Sequence, residues 1–311
     1  MDIFTAILVV LGGLGVFLYG MKLLGDYLQN MAGSKLKTLM GKVGNNRLST
    51  ICIGAAVTTV IQSSAVTTVM VVGFVNAGIM TLFQATGIIM GANIGTTITA
   101  QIVALKFLPI TEFFVALTGI GFFITMISKN IKLKNAAMIM LGFGMIFSGL
   151  MLMTDAMNIL SEMPAVSNAL MSISNPFALF FIGIGLTAAI QSSSATTGIL
   201  ITMAGSGLIT LDAALFATLG VNIGTCVTAL LAGIGANANA KRASVIHLLF
   251  NLFGSIVFFI IVYLAPISNA LKNLFPEVET QIAMFHTFFN VTTTVVLIPF
   301  MKPLTKLATL I

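Results

Sequence analysis

Long apolar stretches separated by short polar ones dominate the hydrophobic pattern of this chain. A helix needs about 20 predominantly apolar residues to cross the hydrocarbon core of a bilayer. The stretch Thr81–Leu105, which contains several polar residues, and its counterpart before Lys241 are predicted to cross the bilayer. Five predominantly apolar stretches have the necessary length and are predicted membrane spans: Ile3–Met21, Leu108–Ile127, Ala136–Met153, Ala243–Leu264 and Ile282–Phe300.

A polar tetrad interrupts this pattern twice, first as Gln62-Ser63-Ser64-Ala65 and then, 129 residues later, as Gln191-Ser192-Ser193-Ser194. At the same offset, residues 58–99 align with residues 187–228 without a gap. Of these 42 positions 17 are identical, whereas unrelated stretches of this composition share about four. Internal duplication of this length in an apolar chain predicts a transporter built from two halves.

Each tetrad lies in the middle of an apolar segment, Leu48–Gly78 or Pro176–Gly207. The arms on either side, of about 14 residues, are too short to span a bilayer. Non-helical backbone at membrane depth is tolerated only where it is buried in protein or lines a cavity. We therefore predict two re-entrant hairpins of half-helices with the tetrads at their tips.

The predicted fold is an all-α integral membrane protein with two inverted-topology repeats, about seven transmembrane spans and the two re-entrant hairpins. The first repeat covers residues 1–134 and the second covers residues 135–265. Residues 266–311 form an outer loop and the last span.

The charged residues assign each loop to a side of the membrane. The loop Lys22–Arg47 carries five basic residues and one acid, whereas the equivalent loop Thr154–Ser172 carries two acids and no base. Because Lys and Arg are retained on the cytoplasmic side, equivalent loops of opposite charge indicate inverted halves. Of the 14 basic residues, this assignment places 12 on the cytoplasmic side and only Lys106 and Lys272 outside. It predicts an outer N-terminus and a cytoplasmic C-terminus in the cell membrane, plasma or inner.

Composition excludes most other protein classes. Hydrophobic residues make up 58% of the chain and charged residues 7%, against about a quarter charged in a soluble domain. The net charge of +6 is too dispersed to suggest a nucleic-acid partner. Cys52 and Cys226 stand in non-equivalent places and are predicted to be packing residues. Since no nucleophile and base, phosphate loop or transition-metal cluster is recognisable, we expect neither an enzyme nor a cofactor.

The tetrads carry the first candidate chemistry. Glutamine amides and serine hydroxyls both donate and accept hydrogen bonds. A half-helix that begins at each tip would add free backbone N–H groups and a positive dipole end, a combination that suits an oxyanion. The candidate anion ligands are Gln62, Ser63, Ser64, Gln191, Ser192, Ser193 and Ser194.

A glycine-rich motif follows each tetrad, at Gly91–Thr97 and at Gly220–Cys226. Each glycine weakens a helix by about 1 kcal/mol relative to alanine, so we expect a helix break at each motif. Freed carbonyl oxygens, together with Asn and Thr oxygens, would form a hard-ligand shell for Na⁺. With the threonines one turn beyond each tetrad included, the candidate Na⁺ ligands are Thr67, Thr68, Asn93, Thr96, Thr196, Thr197, Asn222 and Thr225.

No Lys, Arg or His lies inside either predicted hairpin beyond the Leu48 boundary, or in either glycine-rich motif. An anion bound there without a protein cation would carry a costly uncompensated charge. Bound Na⁺ would neutralise it, so the sequence predicts symport in which each ligand raises the affinity for the other.

Two motifs also have structural interpretations. Ser, Thr and Gly are common at helix contacts in membranes, although duplication of the whole pattern favours a binding site. The pairs His247–Asn251 and His286–Asn290 each place a histidine four residues before an asparagine on one helix face. We favour interhelical hydrogen bonding over a proton relay for these pairs.

With its paired Gln-Ser-Ser tetrads, the Asn-Ile-Gly-Thr segments after them and the His-x-x-Phe-Asn pair, the chain resembles the type II sodium/phosphate cotransporter family over essentially its whole length. The resemblance implies Na⁺-coupled movement of inorganic phosphate, with the tetrads at the phosphate and sodium sites. It also implies a hairpin-bearing unit that moves against a scaffold, and a homodimer. Ala65 departs from the family, since Ser is frequent there. Many bacterial relatives also carry a cytoplasmic helical domain resembling a phosphate-uptake regulator after the last span.

The sequence therefore predicts a secondary transporter that moves phosphate with Na⁺ by alternating access, the phosphate being held between the two tetrads. One alternative keeps the fold and changes the cargo to another oxyanion or a dicarboxylate. The other alternative is an ion channel or a non-transporting membrane scaffold.

Overall fold

The computed structural model describes residues 2–32, 34–41, 43–105 and 111–310. Lys106 and the predicted span start at Leu108 lie outside these residues. All regular elements in the described ranges are helices: α1 (Ile3–Ala32), α2 (Ser34–Gly41), α3 (Arg47–Ile61), α4 (Ser64–Asn76), α5 (Leu82–Ala104), α6 (Thr111–Ile127), α7 (Ile131–Ser161), α8 (Pro164–Met171), α9 (Pro176–Ile190), α10 (Ser193–Gly205), α11 (Leu211–Gly224), α12 (Cys226–Gly233), α13 (Ala238–Leu264), α14 (Ile267–Leu274), α15 (Val278–Leu297) and α16 (Met301–Ala308).

Several of these helices are long and apolar enough to cross a membrane. Five qualify on their own, namely α1, α5, α7, α13 and the stretch Leu211–Gly233 that contains α11 and α12. The number rises to seven if two bent pairs each count as one span: α8 with α9, bent by 105°, and α15 with α16, bent by 87°. The described part of the predicted span Leu108–Ile127 is α6, an apolar helix of 17 residues that follows directly on the undescribed residues 106–110. The chain is thus a multi-pass membrane protein.

Each tetrad separates two short helices. The first pair, α3 and α4, has 15 and 13 residues, and the second pair, α9 and α10, has the same lengths. Asn46 and Asn175 cap α3 and α9 by accepting hydrogen bonds from first-turn backbone N–H groups. Pro176 lies in the first turn of α9, as the sequence predicts, because the ring fits the helical φ and no N–H partner is needed there.

Helices α1 and α7 cross in direct backbone contact. A Cβ atom on Gly20 would lie 2.7 Å from the backbone nitrogen of Ile146, and one on Gly13 would lie 2.8 Å from the carbonyl oxygen of Gly149. Small residues at a membrane helix crossing let the two backbones approach this closely. The crossing fixes α1, whose C-terminal half reaches the first tetrad.

The packing of α3 on α5 recurs in the packing of α9 on α11. A Cβ atom on Gly95 would lie 2.6 Å from the carbonyl oxygen of Ala55. At the offset of 129 residues, a Cβ atom on Gly224 would lie 2.6 Å from the carbonyl oxygen of Ile184. The duplicated sequence therefore builds the same local helix contact twice.

Candidate functional site

Both tetrads interrupt their helices through the same backbone conformation. Gln62 follows α3 with φ 59° and ψ 23°, and Gln191 follows α9 with φ 56° and ψ 27°. Within the described ranges no other residue except glycine has a positive φ. This left-handed conformation costs about 1–2 kcal/mol for a residue with a Cβ atom. Strain that recurs at equivalent positions marks the tetrads as functional candidates.

The second helix of each pair begins directly after its glutamine. The Ser63 hydroxyl accepts a hydrogen bond of 3.2 Å from the Val66 N–H, and the Ser192 hydroxyl accepts one of 3.2 Å from the Ala195 N–H. Each serine caps its helix in this way while its own O–H stays able to donate. The other first-turn N–H groups have no intrahelical partner, so the positive ends of α4 and α10 lie at the tetrads.

The two tetrads, far apart in sequence, line one cavity of about 320 Å³. All seven predicted anion ligands contribute to its wall, together with Ala65, Val66 and a strip of α1. The structure thus brings together every residue that the sequence assigns to the anion. Serine hydroxyls, glutamine amides and two helix N-termini around one space form the set of donors that an oxyanion requires.

Helix α1 contributes charged residues that the sequence analysis missed. Lys22, Asp26 and Gln29 line the cavity with Leu18 and Gly25. The expectation that no lysine lies near the anion was wrong, because it considered only the hairpins and the glycine-rich motifs. These five residues of α1 recur at intervals of about three and four positions, which places them on one face of the helix. That polar strip at the end of an apolar span was the signal in the sequence.

Gly25 brings α1 against the end of α3. A Cβ atom at this position would lie 2.6 Å from the carbonyl oxygen of Ile61 and 4.0 Å from the Cβ atom of Gln62. Glycine therefore allows the charged strip to lie beside the first tetrad. Lys22 and Asp26 carry opposite formal charges, so the strip as a whole is neutral.

The predicted Na⁺ ligands do not line the cavity. All eight are buried. Within the described part of the chain, the hydroxyl oxygens of Thr68, Thr96 and Thr197 have no hydrogen-bond partner. Buried polar atoms normally have partners, so these three oxygens could accept a cation without losing an existing bond.

Of the helix breaks expected at the glycine-rich motifs, only a one-residue interruption at Thr225 is found, and Thr225 keeps helical dihedral angles, with φ −62° and ψ −26°. Helix α5 continues through Gly91–Thr97, whereas α11 ends at Gly224 and α12 begins at Cys226. The prediction was wrong for α5, in which the glycines lie against α3 within a continuous helix. A Cβ atom on Gly91 would overlap the carbonyl oxygen of Ile51. The unbroken helix keeps its carbonyl oxygens in backbone hydrogen bonds, so α5 offers a cation side-chain oxygens only.

The two tetrad glutamines differ in their side-chain hydrogen bonds. Nε2 of Gln62 donates to the Thr59 carbonyl oxygen at 2.5 Å, and the side chain of Gln191 makes no equivalent bond within the described residues. The Thr99 hydroxyl on α5 donates a hydrogen bond of 3.0 Å to Oε1 of Gln62. Thr228 stands 129 residues later, but no hydrogen bond joins it to Gln191 within the residues that the structure describes. Gln62 is buried and Gln191 is exposed. The first tetrad is therefore attached to α5 by a side-chain bond that the second tetrad lacks.

We expect Thr99→Val to lower the free energy of unfolding by about 1–3 kcal/mol, because it leaves the buried Oε1 of Gln62 without its donor. Thr228→Val makes the same chemical change at the equivalent position and should cost at most about 0.5 kcal/mol. Thermal unfolding in detergent measures both variants. Equal losses would contradict the one-sided bond.

The histidine motifs lie in the helix packing. Nε2 of His286 contacts the side-chain oxygen of Asn222 on α11 at 3.4 Å, which is the interhelical contact predicted for it. Asn251 donates to Sγ of the buried Cys226 at 3.4 Å. In the described chain neither ring nitrogen of His247 has a partner. Cys226 is a packing residue as predicted, whereas Cys52 is exposed.

The sequence also matches known proteins. YqeW of Bacillus subtilis (strain 168) is 31% identical over 284 residues, which cover 91% of each chain. YjbB of Escherichia coli (strain K12), whose name describes inorganic phosphate export, is 27% identical over 299 residues, or 96% of this chain and 54% of YjbB. The chain thus spans about half the length of YjbB.

A human protein, sodium-dependent phosphate transport protein 2C, is 42% identical over 83 residues, which are 25% of this chain and 14% of that protein. No solved structure matches the chain significantly. The sequence model of the family described as Na⁺/Pi-cotransporter matches residues 16–155 and 161–275. Since these segments contain both tetrads, both glycine-rich motifs and the charged strip of α1, the chain belongs to the Na⁺/Pi-cotransporter family.

Proposed function

We propose that this protein moves inorganic phosphate together with Na⁺ across the cell membrane by alternating access. The family is one of transporters, not of enzymes, and the long apolar helices fit a multi-pass protein. Membership of the family supports the transport of phosphate. Coupling to Na⁺ and alternating access are the parts that we propose in addition. The cavity shared by the two tetrads is the observation that carries the proposal.

In this proposal phosphate lies between the tetrads. Its oxygens accept hydrogen bonds from the hydroxyls of Ser63 and Ser192, which each keep an O–H to donate while they cap a helix. The first-turn N–H groups of α4 and α10 supply further donors, and the two positive helix ends favour the anion. Because the ligands come from both halves, phosphate can contact all of them only while the two tetrads lie close to each other, as they do in this structure.

Coupling to Na⁺ is supported by the charges around the cavity. Lys22 and Asp26 cancel, so the wall offers no net charge to balance a phosphate dianion. An uncompensated dianion away from bulk water is strongly unfavourable. Bound Na⁺ would provide the missing charge, and the hydroxyl oxygens of Thr68, Thr96 and Thr197, buried without a partner in the described part of the chain, are the candidate sites. Phosphate and Na⁺ then raise each other's affinity by the same factor.

Alternating access is supported by the duplicated packing together with the one-sided bond of Gln62. In the opposite state, Gln191 would bond to Thr228 while Gln62 leaves Thr99. If the N-terminus is outside as predicted, α1 ends on the cytoplasmic side, and we propose that the present cavity, lined by the C-terminal half of α1, opens to the cytoplasm. A homodimer remains a prediction, which the mass of the detergent-solubilised protein, measured by light scattering, would test.

The experiment is uptake of labelled phosphate by proteoliposomes with an inward Na⁺ gradient or with K⁺ in its place. We expect saturable uptake that requires Na⁺, and uptake indifferent to Na⁺ would reject the coupling. Arsenate should compete strongly, because its shape and charge resemble those of phosphate. Strong competition by succinate would favour a dicarboxylate carrier, and flux that does not saturate would favour a channel. Efflux from preloaded liposomes under reversed gradients tests export.

A further inference from the structure

We infer that Lys22 binds the transported anion from one side of the membrane only, so that phosphate binds more tightly in the state open toward the C-terminal end of α1 than in the opposite state. The inference rests on the proposed function. It adds Lys22 to the phosphate ligands of the proposed site, and it predicts unequal phosphate affinities on the two sides of the membrane.

The position of Lys22 is the first observation. Its side chain lines the cavity that holds both tetrads and is exposed rather than packed away. Gly25, three residues later on the same face of α1, lies against the end of α3, as the 2.6 Å separation of a Cβ atom from the Ile61 carbonyl oxygen shows. A flexible ammonium group beside the tetrad is thus placed to meet an anion bound there.

The chemistry is the second observation. Ile3–Met21, directly before Lys22, contains no charged residue and is long enough to cross the hydrocarbon core. A lysine at the end of such a stretch keeps its ammonium group in polar surroundings, and for Lys22 these surroundings include the cavity of the two tetrads. The ammonium group offers three donors and a full charge to a phosphate oxygen. Asp26, one turn later, keeps the strip neutral when no anion is bound.

The unequal duplication supplies the sidedness. At the offset of 129 residues, Asp155 corresponds to Asp26, but Met151 stands where Lys22 would be repeated. If the two halves exchange conformations, the opposite cavity is lined by the equivalent face of α7. That face has a carboxylate and no ammonium group. Phosphate that enters from the side lined by α7 therefore lacks the attraction of an ammonium group and binds less tightly.

The test is phosphate transport in proteoliposomes whose insertion orientation has been measured, with the Michaelis constant determined separately from each side. Lys22→Gln should raise the Michaelis constant about tenfold on the side where α1 ends, the change that about 1.4 kcal/mol produces. It should leave the other side within twofold and keep the maximal rate at saturating phosphate. Lys22→Arg, which retains the charge, should restore most of the affinity.

The reciprocal variant is Met151→Lys, which should lower the Michaelis constant on the other side. The matched control is Lys132→Gln, an exposed lysine of α7 that does not line the cavity and should change neither value. An unchanged Michaelis constant in Lys22→Gln, or a loss of flux that saturating phosphate does not restore, would overturn the inference and leave the proposed function standing. A wild-type protein without Na⁺-dependent phosphate flux would overturn the proposed function itself.

Discussion

Replacing Ser192 by alanine is expected to lower the affinity for phosphate about 100-fold and to weaken Na⁺ binding with it. The substitution removes a hydroxyl that donates to the anion, a bond to a charged group worth about 1.5–3 kcal/mol. It also removes the cap that accepts the Ala195 N–H at the start of α10, worth about 1 kcal/mol. Ser63→Ala should have a similar effect, because Ser63 caps α4 in the same way.

Equilibrium binding of labelled phosphate to the purified protein at several Na⁺ concentrations measures both effects of the Ser192 substitution. Ser192→Thr retains a hydroxyl that caps and donates, so it should keep most of the affinity. Ser172→Ala removes an exposed serine that does not line the cavity and should have no effect. Loss of phosphate affinity in Ser192→Ala without any change in the Na⁺ dependence would argue against coupled binding.

Gly183→Ala is expected to destabilise the folded protein by about 3 kcal/mol or more, whereas Gly185→Ala should be neutral or slightly stabilising. A Cβ atom on Gly183 would overlap the carbonyl oxygen of Ala217, so α9 and α11 would have to separate. Gly185 lies on the same helix and has nothing within 4 Å of an added Cβ atom. There the better helix propensity of alanine is the main effect.

Thermal unfolding of the purified variants in detergent compares the two substitutions directly. Gly54→Ala provides a second measurement, since its Cβ atom would overlap the Ile88 carbonyl oxygen in the equivalent contact of α3 and α5. Similar losses for Gly54→Ala and Gly183→Ala would show that the duplicated contact has the same energetic weight in both halves. Equal melting temperatures for Gly183→Ala and Gly185→Ala would contradict the packing described here.

The helix pairs around the tetrads could be predicted from sequence because local signals define them. The predicted segments Leu48–Gly78 and Pro176–Gly207 agree closely with α3–α4 and α9–α10. Asparagine caps, the first-turn proline of α9 and the serine caps all lie within a few residues of the helix ends they fix. The duplication then indicated that the two breaks belong to one site.

The failures concern contacts that form only when distant helices pack. Glycine inside a helix has two possible uses, a break or a close approach, and composition does not distinguish them. In α5 the neighbouring α3 fills the space beside Gly91, so this glycine serves a close approach. Lys22 was missed for a related reason, because its place on the cavity wall depends on where α1 crosses α7.

The inverted orientation of the halves, the homodimer and the Na⁺ ligands remain predictions. The orientation of each half relative to the bilayer is not determined by contacts between helices. The Na⁺ assignment depends on oxygens such as that of Thr96, which is buried and has no hydrogen-bond partner among the described residues. Metal-dependent changes in melting temperature, compared between Na⁺ and K⁺, would address these oxygens directly.

The hydrogen bond from Thr99 to Gln62, absent between Thr228 and Gln191, means that two copies of a related sequence adopt two arrangements within one molecule. Under the proposed exchange, any position that is identical in both copies contributes equally to the two end states and cancels from their energy difference. Only unmatched positions, such as Lys22 against Met151, can bias the resting equilibrium. A lineage could therefore reverse its preferred opening through a few substitutions at such positions while the matched core stays unchanged.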